Sequence, residues 1–439
     1  MNLKPNIVFT SPVLNHPALG GPELRIENSI IALSKISNTH LLCQKSWMEL
    51  HSLNWHDIPS NNYVFNFYSS LVRTVNFPSG KNKSFSILTS ISNGSEVIVK
   101  WKRNFILLKL INLFFRYSAI IVLNLMPKVS LARDVVNLAR KTNSQIIWFG
   151  YGNISYDLML EVKRLNPSLK LVCDTDSVWS RFILRELPLE KNHTRKLEIS
   201  ENGKKKEKEE AHWVSFCDIT TAVSIVDKSY YQNLTNTEDK IKLFSNVLNL
   251  ESYKNDDFQK FNNNNFNIFL GGSFGEKSPM DQAARWFINE VFDQVVEKQP
   301  KVHLHIVGRQ SDIILKDVDK SNITIHGTVE SILPIIFQSS VAVVPLFFES
   351  GTRFKILESG ACRVPVVSTS LGAEGLQIED HKHLLIADNP LEFADCVLEI
   401  LENPKLAKSL SEHLYKFVKE SSSIDSLIKE GKEILASLT

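Results

Sequence analysis

The sequence predicts an α/β chain of two doubly wound domains in tandem, each a parallel sheet covered by helices on both faces. Three observations carry this. The chain has 439 residues, well beyond the roughly 100–150 residues of a common single domain. Short apolar runs alternate with segments of helical periodicity along its length, the pattern of a parallel sheet. A polar, asparagine-rich stretch without periodicity, Lys254 to Asn265, separates two such series and suits a linker.

Composition narrows the class further. Hydrophobic residues make up 43% and charged residues 22%, which excludes a disordered chain and a polytopic membrane protein. The 50 Lys and Arg nearly balance the 48 Asp and Glu, too small an excess for a protein held on nucleic acid by phosphate contacts. Cys43, Cys173, Cys217, Cys362 and Cys396 share no metal-binding spacing and do not pair off, so a reduced, cytoplasmic setting is expected. The apolar run between Pro5 and Pro12 is far short of a signal-peptide core and reads as the first strand. Phe105 to Met126 is the long apolar stretch, but Lys109 and Arg116 interrupt it and argue against a spanning helix. Two readings of it stay open. It is a helix packed on a sheet through Phe105, Leu108, Ile111 and Phe115, or a peripheral helix on the inner membrane face beside Lys100, Lys102 and Arg103.

In order, the first half reads as strand NIVFT, a loop with Gly20 and Gly21, a helix through Ile26, Ile30 and Leu33, and strand HLLC. Strand IIVLNL, helix SLARDVVNLARK, strand QIIWFG, helix YDLMLEVKRL and strand LKLVCD follow. The charge run after Asn202 reads as a solvated helix face. The second half starts with strand FNIFLGG and a helix capped by Ser278 with Pro279 in its first turn. Short strands VHLHIVG, ITIHG, VAVVPL, PVVST and HLLIAD come next, then a helix opened by Asn389 and Pro390. The expected domains are residues 1–253 and 266–415, with helices 416–439 returning to the first domain.

The segment Val341 to Leu376 carries the most chemistry. A buried strand ends at Leu346, Gly351 follows in a short loop, and a helix begins near Thr352. In an open parallel sheet ligands bind beyond the carboxyl ends of the strands, where a helix N-terminus offers free amides to a phosphate. Phe354, Leu357 and Ala361 are spaced as a buried stripe, while Gly351, Lys355 and Glu358 share another face. That face would present amides and an ammonium to a diphosphate and a carboxylate to a ribose diol. The spacing alone equally allows a surface ion pair between Lys355 and Glu358.

These residues resemble the donor domain of family 4 glycosyltransferases of the GT-B fold, in the branch with the G-T-R-x-K-I-L-E motif. The resemblance rests on Gly351, Thr352, Arg353, Lys355, Ile356, Leu357 and Glu358, then Pro365 to Thr369 and Gly372 to Leu376. It implies a GT-B enzyme whose two domains face each other across a cleft. Glu358 matches the second glutamate of the family's E-x7-E motif, which holds the donor ribose. Ser350 stands where the first glutamate would be, with Glu349 one residue early. Lys277 matches the lysine of G-R-x4-K, and Gly272 replaces its arginine, so Arg353 and Lys355 are expected to compensate. Gly308, Arg309 and Gly327 fall in strands resembling those that flank the nucleotide base.

In the first domain Gly20 and Gly21 resemble the family's phosphate-facing loop. His16, Asp174 and Asp176 are expected to face the cleft on the acceptor side, although Asp174 could equally cap the next helix. The resemblance implies retention at the anomeric carbon, a nucleotide-diphospho-sugar donor, a glycan, lipid-linked or small-molecule acceptor, and no cofactor or bound metal. Lys355, Glu358 and Arg353 are the expected catalytic group. Two rivals stay open: a GT-B-like nucleotide-sugar epimerase, and a non-catalytic nucleotide-sugar-binding partner of another transferase. A dehydrogenase is disfavoured, because no G-x-G-x-x-G follows any expected strand.

Overall fold

Thirteen strands, paired in parallel throughout, build two sheets in the described part of this computed structural model, residues 4–16, 18, 20–44, 65–69, 127–254 and 266–438. The first sheet contains β1 (Asn6–Ser11), β2 (Asn38–Cys43), β3 (Phe65–Ser69), β4 (Ile146–Gly150), β5 (Lys170–Asp174), β6 (Ile219–Ala222) and β7 (Ile241–Leu243). Its strand order is β3-β2-β1-β4-β5-β6-β7. The second contains β8 (Asn267–Gly271), β9 (His303–Val307), β10 (Ile323–Ile325), β11 (Val341–Val344), β12 (Val366–Ser368) and β13 (Leu385–Ile386), in the order β10-β9-β8-β11-β12-β13. Both are doubly wound, and the order reverses between β1 and β4 and again between β8 and β11. Such a reversal opens a crevice at the carboxyl ends of the strands, and the glycine loops noted in the sequence follow β1, β8 and β11.

The helices are α1 (Gly21–Ile36), α2 (Pro127–Lys141), α3 (Tyr156–Leu165), α4 (Trp179–Leu184), α5 (His193–Phe216) and α6 (Ile225–Thr235) in the first half. In the second half α7 (Pro279–Trp286) passes through a π-helical turn, Phe287–Phe292, into α8 (Asp293–Lys298). Then come α9 (Ser311–Ile314), α10 (Leu333–Phe337), α11 (Phe354–Ala361), α12 (Ser370–Ala373), α13 (Pro390–Glu402), α14 (Pro404–Ser421) and α15 (Ile424–Leu438). Ser278 and Asn389 cap α7 and α13 through their side chains, each followed by proline, as their sequences predict.

Parallel strands covered on both faces read as continuous apolar runs rather than as alternation. Accordingly Ile7, Val8 and Phe9 of β1 are all fully buried. Val8 joins Ile147, Phe149 and the α2–α3 layer, while Ile7 and Phe9 join Trp148 and the α1 layer. The second domain has one continuous core from Leu248 to Val418. The strands β6 and β7 were hidden from sequence patterning because ITTA and IKL are short and interrupted by polar residues in their middle. The expected strand IIVLNL, the apolar segment Phe105 to Met126 and nearly all of the linker lie outside the described residues. No described helix is long and apolar enough to cross a membrane.

The chain returns to the first domain later than residue 416. Leu410, Leu414 and Val418 keep α14 in the second core, and the crossing comes where Leu248 N donates to Ser422 O and Leu248 bridges Ser423. Beyond it Leu427, Ile434 and Leu435 of α15 enter the core that contains Ile26, Ile30 and Leu33 of α1. Sheet on one side and α15 on the other bury α1 on two faces, which explains its run of buried residues from Ile30 to Ser34. Ile434→Ala should therefore cost about 2–4 kcal/mol in a urea unfolding experiment, because the lost methylenes leave a cavity in a fully buried site.

Candidate functional site

The loop after β11 meets the first domain directly. Gly351 has φ +78°, and a Cβ there would stand 2.8 Å from the carbonyl oxygen of Asp176 and 3.1 Å from Ser177 Cβ. Glycine alone combines that left-handed backbone with so close an approach. Val178 N donates to Ser350 Oγ (3.2 Å), so the Ser350 hydroxyl is engaged by the first domain. Asn246 Nδ2 donates to Thr352 Oγ1 (2.9 Å), and the Phe354 ring approaches Gly21.

Arg353 is buried, and its guanidinium donates to the carbonyls of Ser350 (3.0 Å), Gly351 and Leu371 (3.3 Å). It therefore holds the loop instead of standing free in the cleft, which corrects the expectation that it supplies charge to a diphosphate. Its effect on the loop is more specific. In a trans peptide C=O and N–H point oppositely, so carbonyls drawn toward Arg353 turn the amides of Gly351 and Thr352 the other way. Those amides have no hydrogen-bond partner among the described residues, and they lead into the N-terminus of α11, an anion-binding arrangement.

On α11 the buried residues are Ile356, Leu357, Ser359, Gly360 and Ala361. Leu357 and Ala361 of the expected stripe are buried, and Phe354, partly buried, packs on the same core while its ring also approaches Gly21 of the first domain. Lys355 and Glu358 are both half-buried. Lys355 Nζ lies 3.1 Å from Met280 Sδ, and burial pushes its pKa down to about 8, against the attraction of Glu349. Burial likewise raises the pKa of Glu358, partly offset by the hydroxyl of Tyr253, which donates to Oε1 (3.1 Å), and by Lys355. The two groups make no direct ion pair, so the surface-pair reading fails.

Beneath the second sheet's reversal the backbone is tight. Gly308 has φ +135°, and a Cβ there would lie 1.7 Å from Gly272 O. Gly308 N donates to Gly327 O (2.9 Å), and Gly327 packs on Asp312. Lys277 is exposed with φ +57°, and its amide donates to Asp281. Arg309 is exposed.

In the first domain Asp174 is not a cleft carboxylate. It is fully buried, paired with Arg25, and also accepts from Thr221 Oγ1 (2.8 Å) and Trp148 Nε1 (3.1 Å). Nor does it cap a helix, because the residue ahead of α4 is Val178. Asp176 does reach the cleft side. It accepts from Asn153 Nδ2 (2.7 Å) and Trp179 Nε1 (3.2 Å), and burial raises its pKa against the pull of Tyr151 and Arg25. His16 Nδ1 lies 3.0 Å from Glu27 Oε2 on α1, and Gly20 precedes that helix with extended backbone.

Sequence reasoning missed the seam. Arg181 Nη2 (2.8 Å) and Arg185 Nη2 (2.6 Å) share Glu374 Oε2, and Arg185 Nη1 donates to Glu349 O (2.7 Å). Burial alone would raise the Glu374 pKa, but the guanidinium groups of Arg185 and Arg181 lower it. The i, i+4 spacing of the two arginines in RFILR was the available signal. Glu210, fully buried on α5, accepts from Trp179 N (2.9 Å) and Ser180 N (3.1 Å) and so anchors the start of α4. Tyr253, at the edge of a polar linker, gave no signal at all.

Two sheets with these crevices, joined by a returning C-terminal helix, form the GT-B glycosyltransferase fold. Residues 268–403 match the family model described as glycosyl transferases group 1. The chain is 23% identical over 173 residues to an uncharacterized 44.6 kDa protein in the cps region of Klebsiella pneumoniae, covering 37% of this chain and 44% of that protein. It is 24% identical over 144 residues to glycosyltransferase 1 domain-containing protein 1 of Xenopus tropicalis, covering 31% and 42%. The chain thus spans less than half the length of these curated relatives. Among solved structures, Anabaena HepE in complex with UDP and glucose superposes with a TM-score of 0.60 at 13% identity, over 98% of this chain and 99% of that one. Sucrose-phosphate synthase from Thermosynechococcus elongatus gives 0.64 at 12% identity over 99% of each.

Because Asp174 satisfies a buried guanidinium, Asp174→Ala should destabilise the protein by about 3–5 kcal/mol. Thermal or urea melting checks this, and a folded, full-stability variant would contradict it.

Proposed function

We propose that this protein is a retaining glycosyltransferase that takes a sugar from a nucleotide-diphospho-sugar and gives it to a hydroxyl-bearing acceptor held by the first domain. The observation that carries this reading is the loop Ser350–Arg353, whose free amides, with Lys355 and Glu358 beyond them, face the first domain at the carboxyl end of β11. In this reading the Gly351 and Thr352 amides and Lys355 hold the diphosphate, and Glu358, oriented by Tyr253, accepts the two ribose hydroxyls. Arg353 is a positioning residue that keeps the amides turned outward. Gly272, Gly308 and Gly327 shape the base side, Lys277 and Arg309 offer charge at its rim, and Ser350 ties the loop to the first domain.

The acceptor oxygen forms its bond to the anomeric carbon as the bond from that carbon to the diphosphate oxygen breaks. The acceptor proton passes to the departing phosphate, so no protein residue becomes covalently attached. Rate enhancement comes from amides and ammonium already aimed at the charge that develops on the phosphate. His16, Gly20, Gly21 and Asp176 are the acceptor-side groups in this reading, and closure along the Arg181–Arg185–Glu374 seam keeps water from the donor. The Klebsiella relative's cps-region origin and the UDP bound in HepE support a role in polysaccharide biosynthesis with a uridine donor.

Glu358→Ala should lower sugar transfer by at least about a hundredfold, because an oriented charged hydrogen-bond pair is lost from a partly buried site. Assaying purified wild-type and variant protein with a panel of nucleotide-sugars and acceptors checks this. Transfer that survives the substitution overturns the assignment, and epimerised donor without any acceptor product points to the epimerase instead. A second expectation follows from Lys355. Its charge is present below about pH 8 and lost above it, so nucleoside-diphosphate affinity should fall as pH rises through that value. Titration calorimetry should show weaker, flat binding over the same range for Lys355→Met.

A further inference from the structure

An open groove of about 760 Å³ crosses the first domain between the Gly152–Ile154 turn, the start of α3 and the middle of α5. Its inner end touches the donor loop through two residues. Asn153, which lines the groove, donates to Asp176, and the Asp176 carbonyl is the surface against which Gly351 packs. The carboxylate of Asp176 accepts hydrogen bonds only, so this contact fixes the Asn153 amide with Nδ2 toward Asp176 and Oδ1 turned elsewhere. Asn153 is wholly buried, and Oδ1 has no partner among the described residues. A buried, unpaired carbonyl oxygen is an uncommon cost, and a donor such as a sugar hydroxyl would relieve it once the Gly152–Ile154 turn shifts to admit one.

The outer part has a different character. Ile154 is exposed on the floor, and Tyr156 presents its ring beside His212, to which its hydroxyl is hydrogen-bonded. Apolar and aromatic surface of this kind suits the face of a sugar ring. Lys206 is committed, to Glu209 (3.0 Å) and to the rings of Trp179 and Trp213. Lys205 and Lys208 are exposed, line the same groove and form no ion pair among the described residues. Three residues apart on α5, they stand on neighbouring positions of one helix face and can bracket one anionic group. The remaining carboxylate of the lining is Asp157, on the opposite wall at the start of α3.

We propose that this groove holds the acceptor, and that the acceptor carries an anionic group, phosphate or carboxylate, seated between Lys205 and Lys208 while its nucleophilic end lies beside Asn153 and Asp176. The assignment rests on the glycosyl-transfer reading above. It adds a substrate class that neither the fold nor the donor loop specifies. Charge on the acceptor is read away from the reaction centre, where it does not repel the donor diphosphate.

The test separates the two levels. A thermal-shift series with UDP, GDP and ADP comes first. If none of them raises the melting temperature, the transfer reading itself fails, and this inference fails with it. With the donor site saturated by the nucleotide that stabilises most, calorimetry compares a glucuronate-terminated trisaccharide, a disaccharide 1-phosphate and neutral maltotriose. At least one charged probe should bind tenfold or more tighter than maltotriose. That preference should vanish in Lys205→Glu/Lys208→Glu and persist in Lys205→Arg/Lys208→Arg, with circular dichroism showing both variants folded. The charged probe that wins identifies phosphate or carboxylate as the group read. Equal binding of maltotriose, no binding of either charged probe, or charged-probe binding unaffected by the Glu variant would each overturn the groove assignment while leaving the donor site standing.

Discussion

The buried pair of Arg25 and Asp174 is the constraint on which the site depends. Asp174 closes β5 and Arg25 lies on the first turns of α1, so the pair ties the helix to the sheet at the crevice. The guanidinium also reaches Phe244 O (3.1 Å) and Asn246 Oδ1 (2.8 Å) on the segment leaving β7. Since Arg25 has only donors to offer, it fixes the Asn246 amide with its nitrogen facing outward. That nitrogen holds Thr352 in the donor loop. One buried charge thus sets the first domain's internal geometry and, one residue further, the register of the second domain against it. A lone charge at that depth would be very costly, and the hydrogen bonds to Asp174 from Thr221 and Trp148 make the pair sustainable.

The donor loop is a product of both domains. Its backbone is curled by Arg353 from within the second domain, and its outer surface is fitted to Asp176, Ser177 and Val178 of the first. Ser350 makes this possible at the position where a carboxylate would be expected, because a short hydroxyl can accept from Val178 N while the chains approach closely. The arginine seam lies alongside. Two ionic contacts to Glu374, half-buried and therefore less screened than surface pairs, hold α4 on the second domain. These contacts are of the reversible kind that suits a cleft needing to open for substrate.

Much of this was legible beforehand because it is local. The β11–α11 unit, the caps at Ser278 and Asn389 and the strands of the second sheet, with β1, β2, β4 and β5 of the first, follow from residue type and spacing. Glu358 and Lys355 were found because a helix places i and i+3 together whatever surrounds it. Arg353 and Asp174 were misjudged for the opposite reason: an arginine beside a phosphate loop and an aspartate at a strand end look the same whether they point to the cleft or inward. Phe354 shows the same limit, since spacing puts it in the buried stripe but does not show that its ring also reaches Gly21 of the first domain.

By itself the sequence determined the doubly wound halves, the glycine loops at both crevices and the placing of Lys355 beside Glu358, because each depends on backbone periodicity over a few residues. Only the tertiary structure decided that Arg25 and Asp174 are a structural pair, that Tyr253 orients Glu358, and that Arg181 and Arg185 reach Glu374. Those contacts join residues separated by more than a hundred positions, and their existence depends on how distant elements pack within each domain and across the cleft, which no local pattern encodes.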